Sequence, residues 1–313
     1  MNFKEFTASQ NDSGKKLEKI LKILWQKYDL QKKCGMYSAI KKGLVKINNS
    51  KSKENYQICC GDKIQIAEFL FDDNSTAKNK KSPEDMEFRL ETVFKNQHLL
   101  IINKPYGINC QKSTKTDLSI ADYLIQPPDE ISFKPAPLHR LDKNTTGLLC
   151  ISQSSKGAQT VSEWIKNHQI KKTYIGIVQG KLESLQAWEN KIIDPLQDGV
   201  SKEFHTVKCL PKNSPEGKTA LTTAKPLKYG TFNNAPVTLV EFNIHTGRKH
   251  QIRSQSSFHG YPLLGDKAYK GFSVSLKKEF FLCANKLEFP PNQLGIPREI
   301  SIPVPEDFFD FFK

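Results

Sequence analysis

The run His139-Arg140-Leu141-Asp142-Lys143-Asn144-Thr145-Thr146-Gly147-Leu148-Leu149 concentrates more chemistry than any other part of the chain. It sets one carboxylate, Asp142, between an arginine and a pair of hydroxyls, directly before an apolar strand. Taken alone, such a run is an ordinary turn. Asp, Asn and Thr side chains bond the local backbone, and Gly accepts positive φ. A carboxylate fixed in a turn is also a nucleophile, or an electrostatic partner for charge that develops during a reaction. A hydrolytic nuclease would add clustered carboxylates to hold metal ions, and none accompanies Asp142. No Cys/His cluster has zinc-ligand spacing. No P-loop is present, and no G-x-G-x-x-G opens a helix. The expected site therefore uses neither metal nor nucleotide cofactor.

A chain of 313 residues is long enough for about two domains and for a core without disulfide staples. The seven cysteines, Cys34, Cys59, Cys60, Cys110, Cys150, Cys209 and Cys283, are odd in number and scattered. They read as reduced thiols of a cytoplasmic protein. The opening Met-Asn-Phe-Lys-Glu-Phe lacks the apolar core of a secretory leader, and no run approaches the ~20 apolar residues of a membrane span. The formal net charge of +14 favours a polyanionic partner, nucleic acid before membrane.

Three segments follow from the patterning. Residues 12–68 read as a small module. Leu17, Ile20, Leu21, Leu24 and Tyr28 recur at helical spacing, and Lys15, Lys16, Lys19, Lys22 and Lys27 occupy the opposite face. A second helix, Met36 to Lys42, stops at Gly43, so Lys41 and Lys42 lie at its end. Strands follow at 44–48 and 63–66. Residues 69–86 lose periodicity and read as a polar linker. From residue 87 to 313 the chain is rich in strands, with a helix over Lys156–His168 and strands over 91–94, 99–102, 147–152, 173–180 and 236–245. Helices interrupt irregularly, without βαβ alternation. The fold class is α+β, with a mainly antiparallel sheet in the second domain.

Five ordered matches carry a family resemblance. They are "LLIINKPYGINCQ" at 99–111, "PLHRLDKNTTGLL" at 137–149, "KKTYIGIVQG" at 171–180, "HTGRKHQIRSQSSFHGYPLLGDKAYKG" at 245–271 and "FLCANKLEFP" at 281–290. In that order they resemble the RluA-type pseudouridine synthases. The two helices, "GLVKINN" and "YQICCGDKIQI" of the first module resemble the alpha-L RNA-binding motif, which is also found fused to the front of many such enzymes.

The resemblance implies an RNA isomerase acting as a monomer, with a pseudouridine-synthase catalytic domain over 87–313. The target it implies is large-subunit (23S) ribosomal RNA, with tRNA as the alternative. The reaction cuts the ribose bond to uracil N1, turns the base and rejoins it through C5, so it needs no redox or hydrolytic cofactor. By resemblance Asp142 is the catalytic carboxylate. The sequence leaves open whether it forms a covalent sugar adduct or supports a glycal-like intermediate. Tyr174 is the aromatic that stacks on uracil and a candidate to take the ribose proton. Arg253 pairs with Asp142, since a carboxylate in a base-sized pocket is costly without a cation, and a bidentate guanidinium would hold it in one orientation. Arg140 is the side chain expected to fill the gap left by a flipped uridine. Arg248 reads as a phosphate contact or as a stabiliser of its own loop, Lys15, Lys41 and Lys42 as RNA contacts of the first module, and His139 as a structural residue of the turn. Three departures from the family pattern are Thr146 where Ser is usual, Cys283 where His is common, and the polar run Ser254-Gln255-Ser256-Ser257 after Arg253, which puts the packing of that helix in doubt. A non-catalytic RNA-binding or ribosome-assembly protein on the same fold is the reading of a different class.

Overall fold

The computed structural model describes residues 1–71, 90–112, 117–124, 130–195, 206–272 and 278–312. Most of the expected linker therefore falls outside the described residues. Two compact units emerge. The first is Met1–Arg89 with Asp122–Ala136 and Gln153–Lys156. The second is Leu90–Ala121, Pro137–Ser152 and Gly157–Lys313.

In the first unit, helix α1 (Leu17–Lys27) buries Leu17, Ile20, Leu21, Leu24 and Trp25, the i, i+3, i+4, i+7 stripe of an amphipathic helix. Helix α2 (Met36–Lys41) ends at Gly43, whose φ of +70° is the left-handed stop that glycine supplies without strain. The four-stranded sheet runs β1 (Phe3–Thr7), β4 (Lys63–Ala67), β2 (Val45–Ile47), β3 (Ser50–Lys51), with every pairing antiparallel. Strand β1 precedes the expected start at residue 12. Its solvent-facing Lys and Glu hide a strand that alternation alone does not reveal. The short segment 130–132 also belongs to this unit. Ile131 joins its core, Lys15 Nζ donates to Ser132 Oγ at 2.7 Å, and Asn11 Nδ2 donates to Glu130 Oε1 at 2.7 Å.

The second unit is built on one large sheet. Its strands are β5 (Glu91–Lys95), β6 (Leu99–Lys104), β7 (Thr146–Ser152), β8 (Lys171–Gln179), β9 (Gln186–Ile193), β10 (Lys208–Pro211), β11 (Lys218–Phe232), β12 (Ala235–Ile244), β13 (Leu282–Glu288) and β14 (Glu299–Ser301). The order is β10-β9-β11-β12-β8-β13-β7-β6-β5, with β14 beside β13. Every pairing is antiparallel except β13 with β7. The expected mainly antiparallel sheet is what forms. Helices are few: α3 (Ile120–Tyr123), α4 (Ser155–Lys166) and α5 (Gln251–Phe258).

Strand β11 tolerates Pro226 for a visible reason. Its pairing with β9 ends at Ala224, so the proline lies where one side of the strand is open and no ladder donor is required there. A bulge follows between Pro226 and Lys228. The core centres on Leu99, Ile101, Leu148, Ile175, Ile177, Leu239 and Phe281, all nearly inaccessible to solvent. Aromatic edges from Phe308 and Phe311 meet Phe281 at ring separations of 5.4 and 5.0 Å.

Ser254, Gln255 and Ser256 of the polar run on α5 are buried all the same, and Ser257 is half-buried. Gln255 accepts from Thr222 Oγ1 at 2.6 Å and donates to Asn190 Oδ1 at 2.9 Å and Ala220 O at 3.2 Å. Gln251 likewise accepts from Thr246 Oγ1 at 2.7 Å and donates to Thr222 Oγ1 at 2.9 Å. The helix sits on β9 and β11 through a hydrogen-bonded polar layer in place of an apolar one, which resolves the doubt about its packing.

Candidate active site

Asp142 occupies the turn before β7, closed by Thr145 N donating to Asp142 O at 3.1 Å. The turn is fastened from below by Lys104, the last residue of β6. Its fully buried ammonium donates to Pro105 O, Ile108 O and Lys143 O at 2.8, 2.9 and 3.0 Å. Burial pushes that amine down to about 8, with the charges of Cys110 and Asp142 opposing the fall. Leu141 N donates to Cys110 Sγ at 3.2 Å and fixes the other side of the turn. Gly147 lets β7 leave it. At φ +106° it lies so close to β13 that a Cβ would fall 2.3 Å from Ala284 O, so no other residue fits.

Tyr174 stands on β8, between Phe242 of β12 and Ala284 of β13. Its ring is buried, and among the described residues its hydroxyl has no hydrogen-bond partner. Burial first, and the neighbouring Asp142 charge next, push the phenol well above its ordinary range. The hydroxyl is therefore protonated and available as a donor, while the ring offers a flat apolar face.

Arg253 reaches the same place from α5. Its Nη1 lies 3.5 Å from Asp142 Oδ2. The bidentate partner, however, is Asp266, which accepts from Nε at 2.7 Å and from Nη2 at 2.9 Å. The expected fork exists, but it grips Asp266 and gives Asp142 an end-on contact. Burial disfavours the guanidinium charge; the Asp266 bonds outweigh it and raise the Arg253 pKa. The guanidinium carbon lies over the Tyr269 and Phe280 rings, 5.0 and 4.5 Å from their centroids. His250 Nε2 faces the other carboxylate oxygen, Asp142 Oδ1, at 3.7 Å.

Asp142, Tyr174, Arg248 and Arg253 thus line one small cavity of about 60 Å³, continuous in its lining with a cleft of about 460 Å³. That cleft carries Arg140, Lys166, Lys172, Arg248 and Lys249, with Asp142 as its one acidic side chain. Lys172 precedes Tyr174 by two residues and so shares its face of β8; burial lowers its pKa. Arg140 is exposed at the mouth. Arg248 Nε donates to Thr219 O at 2.9 Å, which holds the side chain beside the cleft. His139 accepts from Cys150 N at 3.0 Å, the structural role expected of it.

Of the first unit's candidates, Lys41 and Lys42 are exposed at the end of α2, while the amine of Lys15 is engaged by Ser132. No group of three or more His, Cys, Asp or Glu side chains suited to a metal occurs among the described residues. No helix among them is long and apolar enough to cross a membrane. Sequence reasoning assigned no role to Asp266, His250, Tyr269 or Lys104. All four lie inside the quoted motifs, but side chains brought together from distant segments leave no spacing signal.

A model of the RNA pseudouridylate synthase family matches residues 98–258. Among relatives, a Ribosomal large subunit pseudouridine synthase C of Rickettsia conorii is 30% identical over 288 residues, covering 87% of this chain and 88% of that protein. A tRNA pseudouridine synthase C of Vibrio cholerae is 31% identical over 201 residues, covering 61% of this chain and 79% of that one. Human RNA Pseudouridylate Synthase Domain Containing 1 shares the fold, with a TM-score of 0.56 at 24% identity over 72% of this chain and 86% of that chain. The matched residues include the Asp142 turn, Tyr174 and Arg253, and the chain belongs to the RNA pseudouridylate synthase family, isomerases that act on RNA.

Proposed function

We propose that the protein isomerises uridine to pseudouridine in large-subunit ribosomal RNA, with Asp142 as the catalytic carboxylate. The observation that carries this reading is the meeting of Asp142, Tyr174 and the Arg253–Asp266 pair in a cavity that opens into a basic cleft. Asp142 and Tyr174 are recessed in this cavity, so a uridine reaches them by leaving its stack, and Arg140 at the mouth is placed to fill the gap it leaves. Arg248, Lys172 and Lys249 supply positive charge for the flanking phosphates. The Tyr174 ring lies under the uracil and its hydroxyl donates to the base. Asp142 acts at the ribose carbon from which N1 departs, and Arg253 holds the carboxylate in place throughout.

The ribosomal target draws support from the extent of the likeness. A match over 87% of the chain must run into the first unit, whereas one over 61%, as with the Vibrio cholerae tRNA enzyme, need not. Pseudouridine mapping of total RNA with and without the gene tests both activity and target. Loss of one or more ribosomal sites is expected; loss confined to tRNA overturns the target, and no loss at all overturns the activity. In vitro, Asp142→Asn should abolish isomerisation while RNA affinity stays within about threefold, because most binding energy comes from phosphate contacts. Turnover by that variant would remove Asp142 from its role.

A further inference from the structure

We propose that His250 is a positioning residue of the isomerisation, a neutral imidazole locked by Tyr269 with its Nε2–H aimed at the Asp142 carboxylate. The role rests on Asp142 being the catalytic group.

The lock is visible in three contacts. Val207 N donates to the Tyr269 hydroxyl at 2.8 Å, and the same hydroxyl lies 2.8 Å from His250 Nδ1. A phenol has one proton. With Val207 already donating to its oxygen, that proton points at Nδ1, which leaves the imidazole hydrogen on Nε2. The opposite tautomer would set a lone pair against Asp142 Oδ1 at 3.7 Å and is disfavoured by that charge. The rings of His250 and Tyr269 meet edge to face, 5.8 Å apart at 88°, so the imidazole is held in orientation as well as in tautomer.

The backbone supports the same reading. His250 is the residue before α5 and has φ 49° and ψ 27°, a left-handed conformation that costs a non-glycine residue about 1 kcal/mol or more. Glycine would relieve the strain there, but it would lose the ring.

The chemistry explains why a neutral donor suits this position. Arg253 is shared between two carboxylates and gives its two-point contact to Asp266, so Asp142 receives only one guanidinium nitrogen. His250 addresses the second oxygen. A neutral N–H orients the carboxylate without neutralising it, and the 3.7 Å separation closes to a hydrogen bond on a small movement when substrate fills the cavity. The charged and titratable groups facing the ring are Asp142, Arg253, Lys249, Asp266 and Tyr269. Burial dominates them and brings the imidazole down to about 4, so it stays neutral throughout the working range.

Two measurements on the full-length protein test the assignment. Histidine ¹⁵N NMR of the wild-type protein should show His250 as the Nε2–H tautomer at pH 7, and should show that preference lost in Tyr269→Phe; a wild-type Nδ1–H tautomer overturns the proposal. Single-turnover kinetics on a ribosomal stem-loop form the second. His250→Ala should slow the chemical step about 30-fold, with RNA affinity within about threefold, as expected for loss of one hydrogen bond to a charged group. His250→Gln, which keeps a donor near the Nε2 position, should recover most of that loss. Tyr269→Phe should lower the rate less than His250→Ala, and the double variant should be no slower than His250→Ala alone. A His250→Ala rate within threefold of wild type, a Gln variant no faster than Ala, or a loss seen only in RNA affinity would each overturn it. Should Ala fail to fold, the Gln and Phe variants and the tautomer measurement decide. The Asp142→Asn result stands apart from all of these, so failure of the underlying reading is distinguishable from failure of the His250 role.

Discussion

Asp142 is placed mainly through the backbone around it, and its orientation depends on two donors shared with other partners. Arg253 is the more demanding of these, because its three nitrogens serve two carboxylates at once. Lys keeps the charge but has a single nitrogen, so Arg253→Lys should lower the single-turnover rate about 100-fold or more with RNA affinity nearly unchanged. A Lys variant within a few-fold of wild type would show that the fork is not needed. His139 gives a second prediction, on stability. Burial, then the Lys172 charge, hold its folded-state pKa at about 3, against 6.5 when unfolded. A folded-state pKa that is depressed makes the neutral form part of the fold. Its contribution is complete above pH 6.5 and is lost as pH falls towards 3, by about 2 kcal/mol at pH 5. His139→Gln keeps an acceptor for Cys150 N and should show a shallower loss of stability between pH 7 and 5 in denaturant titrations. An unchanged slope would mean that His139 binds its proton equally well in the folded and unfolded protein.

At the scale of elements, α5 is the informative case. An amphipathic helix normally docks by apolar burial, yet Ser254, Gln255 and Ser256 are all buried here. Gln255 is the hub, meeting Thr222, Asn190 and Ala220 together. Gln255→Leu matches the volume but strands buried donors and acceptors, so it should destabilise the fold by about 2–5 kcal/mol, measured by chemical denaturation. Because Arg253 rides on this helix and His250 directly precedes it, the rate should fall as well. A variant as stable as wild type would show that the polar layer adds nothing over apolar packing. The sequence shows a polar run at this helix but not its partners, which lie on β9 and β11, thirty or more residues away in the chain.

For the molecule as a whole, the relevant quantity is charge. A net +14 sets a strong salt dependence for RNA binding, and each lysine that contacts a phosphate contributes to its slope. Lys41 and Lys42 are exposed, so the double substitution to Gln should weaken binding of ribosomal RNA fragments. The slope of log K against log salt should fall by roughly 1.4–1.8. An unchanged slope would place the RNA elsewhere. Lys15 is the contrasting case, since its amine is held by Ser132. Replacing it should affect the stability of the first unit more than the salt slope.

The sequence by itself determined the family, the strand-rich second unit, the Asp142 turn and the candidates Tyr174 and Arg253. These are local signals: turn chemistry, alternation and ordered motifs are written in neighbouring residues. Strands β9 to β11 escaped the reading because alternation there is interrupted by Lys, Pro and Gly, and because pairing partners far along the chain stabilise them. Only the tertiary structure decided which side chains meet. It gave the Arg253 fork to Asp266, the second oxygen of Asp142 to His250, and the ammonium of Lys104 to three backbone carbonyls. Such meetings are contacts of about 3 Å between segments apart in the chain, and hydrogen bonds and ion pairs are short-ranged. Spacing along the chain therefore carries no record of them.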